Sequence, residues 1–392
     1  MLANIHFFCI FASASPTRPA PADSSRVGTQ QRYVVERCDV GRLPFFKSDI
    51  VQIFLFIDIP FLMTVSWQIV RFELKETFSI AYGNYSHRDA LIITLNHKGV
   101  SGYGECTAID YYNIKLEDFV VALNAVQFAI ESHKISYPTV FYDFLLTLKL
   151  PSFLRSALDC AYWDLYGKLE NKSFLELNAI EINKLPDSSI TISVAPIEDQ
   201  IKKMESSNWT KFKVKCHHFD KKSIQKLVAL NKNIALDSNG SFTPEDCIWL
   251  QNEAVSSQFS YIEQPMKPNN YSVLQANLFA NWMADEDCQE NIKLLTLQPH
   301  YSSINIKLVK CGGLTPALQL IKEARAFNFK IMIGCMTEST IGISAGAVLA
   351  PLVDYADLDG ANLIANDIAN GSKISSGKIQ VEDKPGLGIK LL

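Results

Sequence analysis

The strongest constraint on the fold is a series of eight short apolar runs, separated by stretches of helical character, in the second half of the chain. The runs lie mostly 18–28 residues apart: ITISVA (190–195), KFKVKC (211–216), IALDS (234–238), SYIEQP (260–265), NWMADE (281–286), SSINIKL (302–308), KIMIGC (330–335) and YADLDG (355–360). Strand–helix repeats of this length imply parallel strands, and eight of them close a barrel. The fold class predicted is therefore α/β, a modified (β/α)8 barrel.

The segment before the barrel has a different sequence pattern, which predicts an α+β capping domain over residues 63–188. Strand-like stretches from residue 64 onward form a meander with a turn at Lys98-Gly99, and helices are predicted at about 115–133 and 152–169. The barrel is predicted over 189–371. The closing segment 372–392, which contains PGLGI (385–389), is predicted to return to the capping domain.

Residues 1–62 are predicted to be a disordered leader or translated upstream sequence, with the true start at Met63. A Pro/Ala/Ser stretch follows the first apolar run, and residues 1–8 contain no Lys or Arg, unlike a secretory signal. A second apolar run at 50–63 contains Asp58 and Pro60 and is short for a membrane span. A secreted protein is the less favoured alternative.

The net charge and the cysteines argue against nucleic-acid or membrane partners, a disulfide framework and a zinc site. The net charge of −4 gives no electrostatic reason to expect nucleic acid or an anionic membrane. Nine cysteines, an odd number with no CxxC pair, indicate reduced thiols in the cytoplasm better than a disulfide framework or a zinc site.

Three carboxylates end three successive strands of the predicted barrel. Asp237, Glu263 and Asp285 close runs three, four and five, and the active sites of such barrels lie at the carboxyl ends of the strands. Like charges that converge there repel one another unless a cation lies among them. Oxygen ligands without His or Cys favour Mg²⁺.

Lysines flank these carboxylates on the neighbouring strands. Lys213 and Lys215 lie two apart on run two and so share one face of the strand, and Lys307 ends run six. A lysine beside another cation in a partly dry site has a lowered pKa and can act as a base. We therefore expect acid/base chemistry at this mouth of the barrel.

Each of these features alone has an ordinary structural explanation. Lys-x-Lys is usually part of a solvated strand face. An Asp at a strand end is most often a turn former or a helix N-cap. Asp357 and Asp359, which precede Gly360, would fit such a turn. Lys, Asp, Glu, Asp and Lys at the ends of five successive strands are hard to explain as five independent turns.

Several motifs together resemble the enolase superfamily, specifically its muconate-lactonizing branch. They are GYGE (102–105), SALDCAYWDLYGK, KVK, LDSNG, IEQP, MADED, INIKLVKCGG and PGLGI, and the resemblance covers about residues 64–392. The DLD of the eighth run is similar to the dipeptide epimerases, whose best-known members interconvert L-Ala-D-Glu and L-Ala-L-Glu. The superfamily uses lysine or histidine bases with Mg²⁺ and an enediolate.

The resemblance implies a role for each matching residue. Asp237, Glu263 and Asp285 would bind one Mg²⁺ per subunit, and Lys215 and Lys307 would exchange protons with opposite faces of the substrate α-carbon. Lys213 would contact the substrate carboxylate and lower the pKa of Lys215. Substrate contacts are further expected from Asp357 and Asp359, which would hold the α-ammonium group, and from Thr191, Cys335 and Thr337. The MADED motif carries Asp287 where the family commonly has serine.

One departure from the family bears on specificity. A capping-domain loop of the Ala-Glu epimerases carries an arginine that pairs with the glutamate side chain, and Gly83 falls at that position here. Arg88 lies five residues further on. A loop of Tyr82, Gly83, Asn84 and Tyr85 would better accept a neutral or apolar side chain. The prediction is an epimerase for L-Ala-Xaa dipeptides that favours such residues over Glu.

Two alternatives remain open at this stage. An o-succinylbenzoate synthase or an N-acylamino acid racemase would share the lysines and metal ligands, but their substrates lack the α-ammonium group that Asp357 and Asp359 would hold. A non-catalytic metal-binding barrel is the alternative from another class. The partner predicted is a small dipeptide, without nucleic acid or membrane, and a homo-oligomer is possible.

Overall fold

A computed structural model describes residues 63–80 and 83–392. The predicted leader, residues 1–62, and Tyr82 of the predicted specificity loop lie outside the described residues. No helix of the described part is long and apolar enough to span a bilayer.

The described chain begins with a three-stranded antiparallel sheet in sequential order. Its strands are β1 (Thr64–Ile80), β2 (Gly83–His97) and β3 (Val100–Thr107). The predicted turn between β2 and β3 is confirmed: Lys98 and Gly99 have φ of 51° and 83°, the left-handed values of a tight hairpin. β1 and β2 stay paired as far as Ile80 and Gly83, so Asn84 and Tyr85, predicted to lie in a loop, belong to a strand.

Four helices follow this sheet: α1 (Leu116–Glu131), α2 (Pro138–Thr147), α3 (Ser152–Glu170) and α4 (Phe174–Leu177). α1 and α3 confirm the predicted helices, whereas α2 was not predicted. α3 packs directly on β3, because a side chain at Gly104 would lie 1.9 Å from the Ala157 carbonyl oxygen and one at Gly102 2.2 Å from that of Ala161. Only glycine permits so close an approach.

Eight parallel strands confirm the predicted barrel, and each coincides with one apolar run of the sequence. Neighbouring strands follow chain order: β4 (Ile190–Ile192), β5 (Lys211–Lys215), β6 (Asn233–Asp237), β7 (Ile262–Glu263), β8 (Trp282–Ala284), β9 (Ser303–Lys307), β10 (Lys330–Gly334) and β11 (Tyr355–Asp357). A parallel bridge from Ser188 to Ala356 brings the last strand back to the first.

The barrel helices are α5 (Ile197–Glu205), α6 (Lys221–Ala229), α7 (Pro244–Asn252), α8 (Leu294–Leu297), α9 (Leu308–Cys311), α10 (Leu314–Ala326), α11 (Thr340–Ala347) and α12 (Gly360–Leu363). The predicted alternation is incomplete between β7 and β8, where the chain forms only a 3₁₀ turn at Tyr271–Val273. Gln264 and Asn269 adopt left-handed φ values there, which interrupt a helix.

The chain closes with four short strands: β12 (Ala369–Asn370), β13 (Lys373–Ser375), β14 (Lys378–Gln380) and β15 (Lys390–Leu391). The PGLGI segment lies against α3 and the start of α4: the Leu387 N–H donates to Asp164 Oδ1 of α3 at 2.8 Å, and the Phe174 N–H donates to the Gly386 carbonyl at 2.9 Å. All seven cysteines of the described part are free thiols.

Candidate active site

The register of the barrel brings the predicted site residues to one mouth. Lys215, Asp237 and Glu263 are direct lateral partners on three consecutive strands. Gly334 on β10 pairs with Lys307 of β9 on one side and with Asp357 of β11 on the other. Asp285 follows the last residue of β8. All of these site side chains are buried.

Two of the three carboxylates predicted to bind metal, those of Asp237 and Glu263, lie near one lysine ammonium group. Lys213 Nζ lies 3.4 Å from Glu263 Oε2 and 3.6 Å from Asp237 Oδ2. No residue of the described part donates a hydrogen bond to Glu263 Oε2, while Glu263 Oε1 accepts one from Asn305 Nδ2 at 2.7 Å. Burial raises the pKa of Glu263 to about 7, against the opposing influence of Lys213. A buried acceptor without a donor is costly.

The donor set fits a hard divalent cation, although the side chains are not assembled as a ready cage. No three His, Cys, Asp or Glu side chains within 63–80 and 83–392 are grouped closely enough to hold a metal ion as they lie. Lysine ammonium groups lie among the carboxylates instead. The unsatisfied oxygen of Glu263 and the exclusively oxygen donors are nevertheless what Mg²⁺ prefers.

The two predicted acid/base lysines lie on opposite sides of the barrel, four strands apart. Lys215 Nζ donates to Asp237 Oδ2 at 2.5 Å and to Asn239 Oδ1 at 3.0 Å. Lys307 Nζ donates to Asp285 Oδ2 at 2.8 Å. Burial lowers the pKa of Lys307, but the carboxylates of Asp285 and Glu263 outweigh burial and hold that pKa well above its usual range.

The two aspartates of the DLD motif border the same site. Asp357 accepts hydrogen bonds from Lys213 Nζ and, at 2.7 Å, from Ser189 Oγ. Asp359 accepts one from the Thr191 backbone N–H at 2.7 Å. Burial, together with the charge of Asp357, raises the pKa of Asp359 to about 6.

Sequence reasoning missed two charged residues of this mouth, Lys310 and Glu286. Lys310, one helical turn after Lys307, is 1% exposed and donates to the carboxylate and the carbonyl of Asp285. Its spacing from Lys307 was the available signal. Glu286 accepts from Asn239 Nδ2 at 3.0 Å, and burial, reinforced by the charge of Asp285, raises the pKa of Glu286 to about 8.

Asp287 of the MADED motif supports the loop between β7 and β8. Its carboxylate accepts hydrogen bonds from the Tyr301 hydroxyl at 2.7 Å, from Gln264 Nε2 at 2.8 Å and from the Asn269 N–H at 2.7 Å. These hydrogen bonds tie the loop that follows Glu263 to the segment that follows Asp285.

A cleft of about 610 Å³, open to solvent, lies over these groups. The structure brings Thr191, Cys335 and Thr337, the predicted substrate contacts, to its wall. The side facing the antiparallel sheet is mainly apolar or aromatic and is formed by Phe78, Ile80, Tyr85, Arg88 and Ile109.

Tyr85 and Arg88 occupy the part of this wall next to Gly83. A side chain at Gly83 would meet the Tyr85 hydroxyl at 2.8 Å, so the Tyr85 ring fills that space. The Arg88 guanidinium lies 4.4 Å from the centre of the Tyr85 ring, and Arg88 Nη1 donates to the Ala108 carbonyl at 2.9 Å. Arg88 therefore borders the cleft from within β2.

Family models match both parts of the chain. Residues 63–178 match the mandelate racemase/muconate lactonizing enzyme N-terminal domain, and residues 197–392 match the enolase C-terminal domain-like model. An L-Ala-D/L-amino acid epimerase from a Maribacter species is 34% identical over 84% of this chain and 99% of its own length.

Solved structures share the fold. An enolase family member from Agrobacterium tumefaciens, determined with sodium and L-Ala-L-Glu, is 25% identical, covers 81% of this chain and 97% of its own, and superposes with a TM-score of 0.74. A dipeptide epimerase from Cytophaga hutchinsonii, determined with Mg and D-Ala-L-Val, superposes with a TM-score of 0.76 over 84% of this chain and 96% of its own, at 21% identity.

Proposed function

Because the chain belongs to the enolase superfamily, with both domains of its mandelate racemase/muconate-lactonizing branch, we propose that it is a dipeptide epimerase that inverts the α-carbon of the second residue. The observation that carries this proposal is the buried mouth of the barrel, where a lysine on β5 and a lysine on β9 flank the three strands that carry the carboxylates, and an aspartate pair borders the same cleft.

Lys215 and Lys307 are the acid/base pair of this proposal. Their strands lie four apart in an eight-stranded barrel, so a substrate α-carbon between them would present one face to each. One lysine in its neutral form removes the α-proton, and the other, in its charged form, delivers a proton to the opposite face. Lys213 contributes a positive charge beside the substrate carboxylate.

Asp237, Glu263 and Asp285 would hold Mg²⁺, for which the unsatisfied oxygen of Glu263 and the all-oxygen donor set are the support. When bound, the cation would supply electrostatic stabilisation for the negative charge that develops on the substrate carboxylate. Lys213 and Lys215, which now pair with these carboxylates, would turn toward the substrate.

We assign the second residue of the dipeptide to the neutral or apolar class. Dipeptides of L-Ala with such a residue are favoured over L-Ala-L-Glu. The wall of Phe78, Ile80, Tyr85 and Ile109 supports this preference, since it offers apolar surface to a side chain. Gly83 supplies no charge at the position where the Ala-Glu epimerases carry an arginine. Asp357 and Asp359 favour a free α-ammonium over the acylated substrates of the sister enzymes.

A dipeptide library incubated in D₂O with Mg²⁺ tests the proposal. We expect deuterium at the α-carbon of the second residue, with inversion, fastest for L-Ala paired with neutral or apolar residues and slow for N-acetylated dipeptides. A lost charge-assisted bond is worth roughly 1.5–3 kcal/mol, so L-Ala-L-Glu should lag by about ten- to a hundred-fold. No exchange with any dipeptide would refute the function. L-Ala-L-Glu as the best substrate would refute only the specificity and make Arg88 the residue to substitute.

A further inference from the structure

Asn305 on β9 and Lys310 on α9 hold two of the carboxylates assigned to the metal without reaching the cleft. Asn305 Nδ2 donates to Glu263 Oε1 at 2.7 Å, and Lys310 Nζ donates to Asp285 Oδ1. Asn305 is fully buried and Lys310 is 1% exposed, and neither borders the cleft over the site. A substrate in that cleft would therefore meet the two carboxylates but not the side chains that hold them.

The other oxygen of each of these carboxylates lies beside a lysine of the mouth. Glu263 Oε2 is 3.4 Å from Lys213 Nζ, and no residue of the described part donates a hydrogen bond to it. Asp285 Oδ2 accepts a hydrogen bond from Lys307 Nζ at 2.8 Å. Each carboxylate thus has one oxygen fixed by a residue outside the cleft and one oxygen presented to the mouth.

Asp237, the third carboxylate, shows the same division with a backbone donor. Its Oδ1 accepts the Asn239 N–H at 3.0 Å, and its Oδ2 accepts Lys215 Nζ at 2.5 Å. The three oxygens presented to the mouth therefore all lie within 3.4 Å of a lysine ammonium nitrogen. In Asp237 the following turn of the chain fixes the first oxygen, whereas the other two carboxylates depend on side chains for this.

The Lys310 ammonium group is fully engaged where it lies. A lysine ammonium group has three N–H donors. Those of Lys310 meet the carboxylate and the backbone carbonyl of Asp285 and, at 3.2 Å, the Asn305 carbonyl. A buried ammonium group is costly unless its donors are paired, so Lys310 stays with these acceptors and is not available to a substrate as Lys307 is.

We propose, on the basis of the function assigned above, that Asn305 and Lys310 are positioning residues of the metal site. Each holds one oxygen of a metal carboxylate in place and so directs the other oxygen to the mouth. The two residues flank Lys307 within the short segment 305–310. One segment of the chain therefore carries an acid/base group and also supports two of the three carboxylates that would bind the metal.

Calorimetric titration of the metal-free full-length protein with Mn²⁺, without substrate, tests this role. Asn305→Leu, similar in volume but without a donor, should weaken Mn²⁺ binding about ten-fold, the lower end of the usual effect of removing a group that orients a metal ligand. Lys310→Met removes a positive charge, which alone would strengthen the binding of a cation. Because Asp285 also loses its orientation, we expect Lys310→Met to weaken Mn²⁺ binding about ten-fold instead.

Two further variants separate orientation from a loss of folding. Lys310→Arg keeps donors for Asp285 and should retain most of the Mn²⁺ affinity that Lys310→Met loses. Asn305→Ser keeps a small polar group but is too short to reach Glu263, so it should weaken Mn²⁺ binding in the same direction even if Asn305→Leu does not fold. With L-Ala-L-Leu as substrate, Asn305→Leu and Lys310→Met should need roughly ten times the wild-type concentration of Mn²⁺ for half-maximal turnover.

Matched controls remove similar contacts away from the mouth. Lys168 of α3 donates to the Asp164 carboxylate at 2.6 Å and to two backbone carbonyls, the same kinds of acceptor as Lys310 has. Gln251 of α7 is a buried amide that donates to the Val273 carbonyl at 3.1 Å. Lys168→Met and Gln251→Leu should lower the free energy of unfolding in urea but leave Mn²⁺ affinity unchanged.

Unchanged Mn²⁺ affinity in Asn305→Leu and Asn305→Ser would remove the role of Asn305, and unchanged or tighter binding in Lys310→Met would remove that of Lys310. The two results together would overturn the inference. A wild-type protein that binds no Mn²⁺ would overturn both the inference and the metal assignment. If the wild type binds Mn²⁺ but epimerises no dipeptide, while the variants still bind Mn²⁺ more weakly, the proposed function falls and the positioning role stands.

Discussion

At the scale of single residues, the two acid/base lysines should be separable by stereochemistry. Lys215 and Lys307 lie on opposite sides of the barrel, so each faces one side of a bound α-carbon. Lys215→Ala and Lys307→Ala should each abolish epimerisation, since inversion needs both groups. Each variant should still exchange the α-hydrogen of the one epimer that faces its surviving lysine, measured by mass spectrometry in D₂O.

Lys211→Ala is the matched control for this pair of variants, because Lys211 lies on the same strand as Lys215 but at its other end. It should epimerise dipeptides like the wild type. Normal epimerisation by Lys215→Ala or by Lys307→Ala would remove that lysine from the mechanism.

The carboxylates at the strand ends predict metal dependence. EDTA should abolish turnover and Mg²⁺ should restore it, and Asp237→Asn should weaken Mg²⁺ binding ten-fold or more in a calorimetric titration. Asp199→Asn, at the exposed start of α5, should bind Mg²⁺ like the wild type. Full activity of the metal-free protein would contradict the assignment of these three carboxylates.

At the scale of elements, the hairpin of β1 and β2 should determine the preferred side chain. Gly83→Arg would introduce a guanidinium where the resemblance places that of the Ala-Glu epimerases. Among the described residues, the three heavy atoms nearest to its Cβ all belong to the end of the Tyr85 ring, which can move. We expect kcat/KM for L-Ala-L-Glu to rise about ten-fold or more relative to L-Ala-L-Leu. Gly83→Met, similar in length but uncharged, should not produce this shift. An unchanged ratio in Gly83→Arg would mean that the hairpin does not reach the substrate side chain.

The barrel strands were predictable from sequence because parallel strands buried on both faces are short, apolar and regularly spaced. Their ends carry the site, so most of its charged residues followed from the same pattern. α2 was missed, although Pro138 at its first turn is a helix start signal. The missing helix after β7 was also not foreseen. There the carboxylate of Asp287 organises the loop through Gln264 and Asn269, contacts that depend on the tertiary fold.

At the scale of the whole molecule, the contacts that a sequence cannot supply join residues far apart along the chain. Ser189 reaches Asp357 across 168 residues, and Glu105 reaches Ser339 across 234. No periodicity or motif specifies such pairs, because each depends on how complete elements pack. The division of the chain at residues 188 and 371 into a capping domain, a barrel and a returning segment also depends on how complete elements pack. That division remains a proposal.

Glu105 connects the antiparallel sheet to the barrel. It ends in a buried carboxyl group that accepts hydrogen bonds from the Ser339 N–H at 3.0 Å, the Ser339 hydroxyl and the Gly342 N–H at 3.2 Å, at the start of α11. Burial raises the pKa of Glu105 to about 7 from an ordinary 4.5, although these donors oppose the shift. The folded protein therefore binds this proton more tightly than the unfolded chain.

A raised pKa in the folded state fixes the sign of the pH dependence. The stabilisation from the protonated group is complete below pH 4.5, the ordinary value, and is lost as pH rises through about 7. The corresponding loss in the free energy of unfolding is about 3 kcal/mol.

Glu105→Gln keeps a neutral group at all pH values and should remove this loss. Urea unfolding of wild type and variant at pH 5 to 8 should therefore show the wild type weakening relative to Glu105→Gln, while Glu323→Gln on the exposed face of α10 should follow the wild type. Parallel profiles for the wild type and Glu105→Gln would mean that Glu105 is ionised throughout, and that the three donors of α11 outweigh its burial.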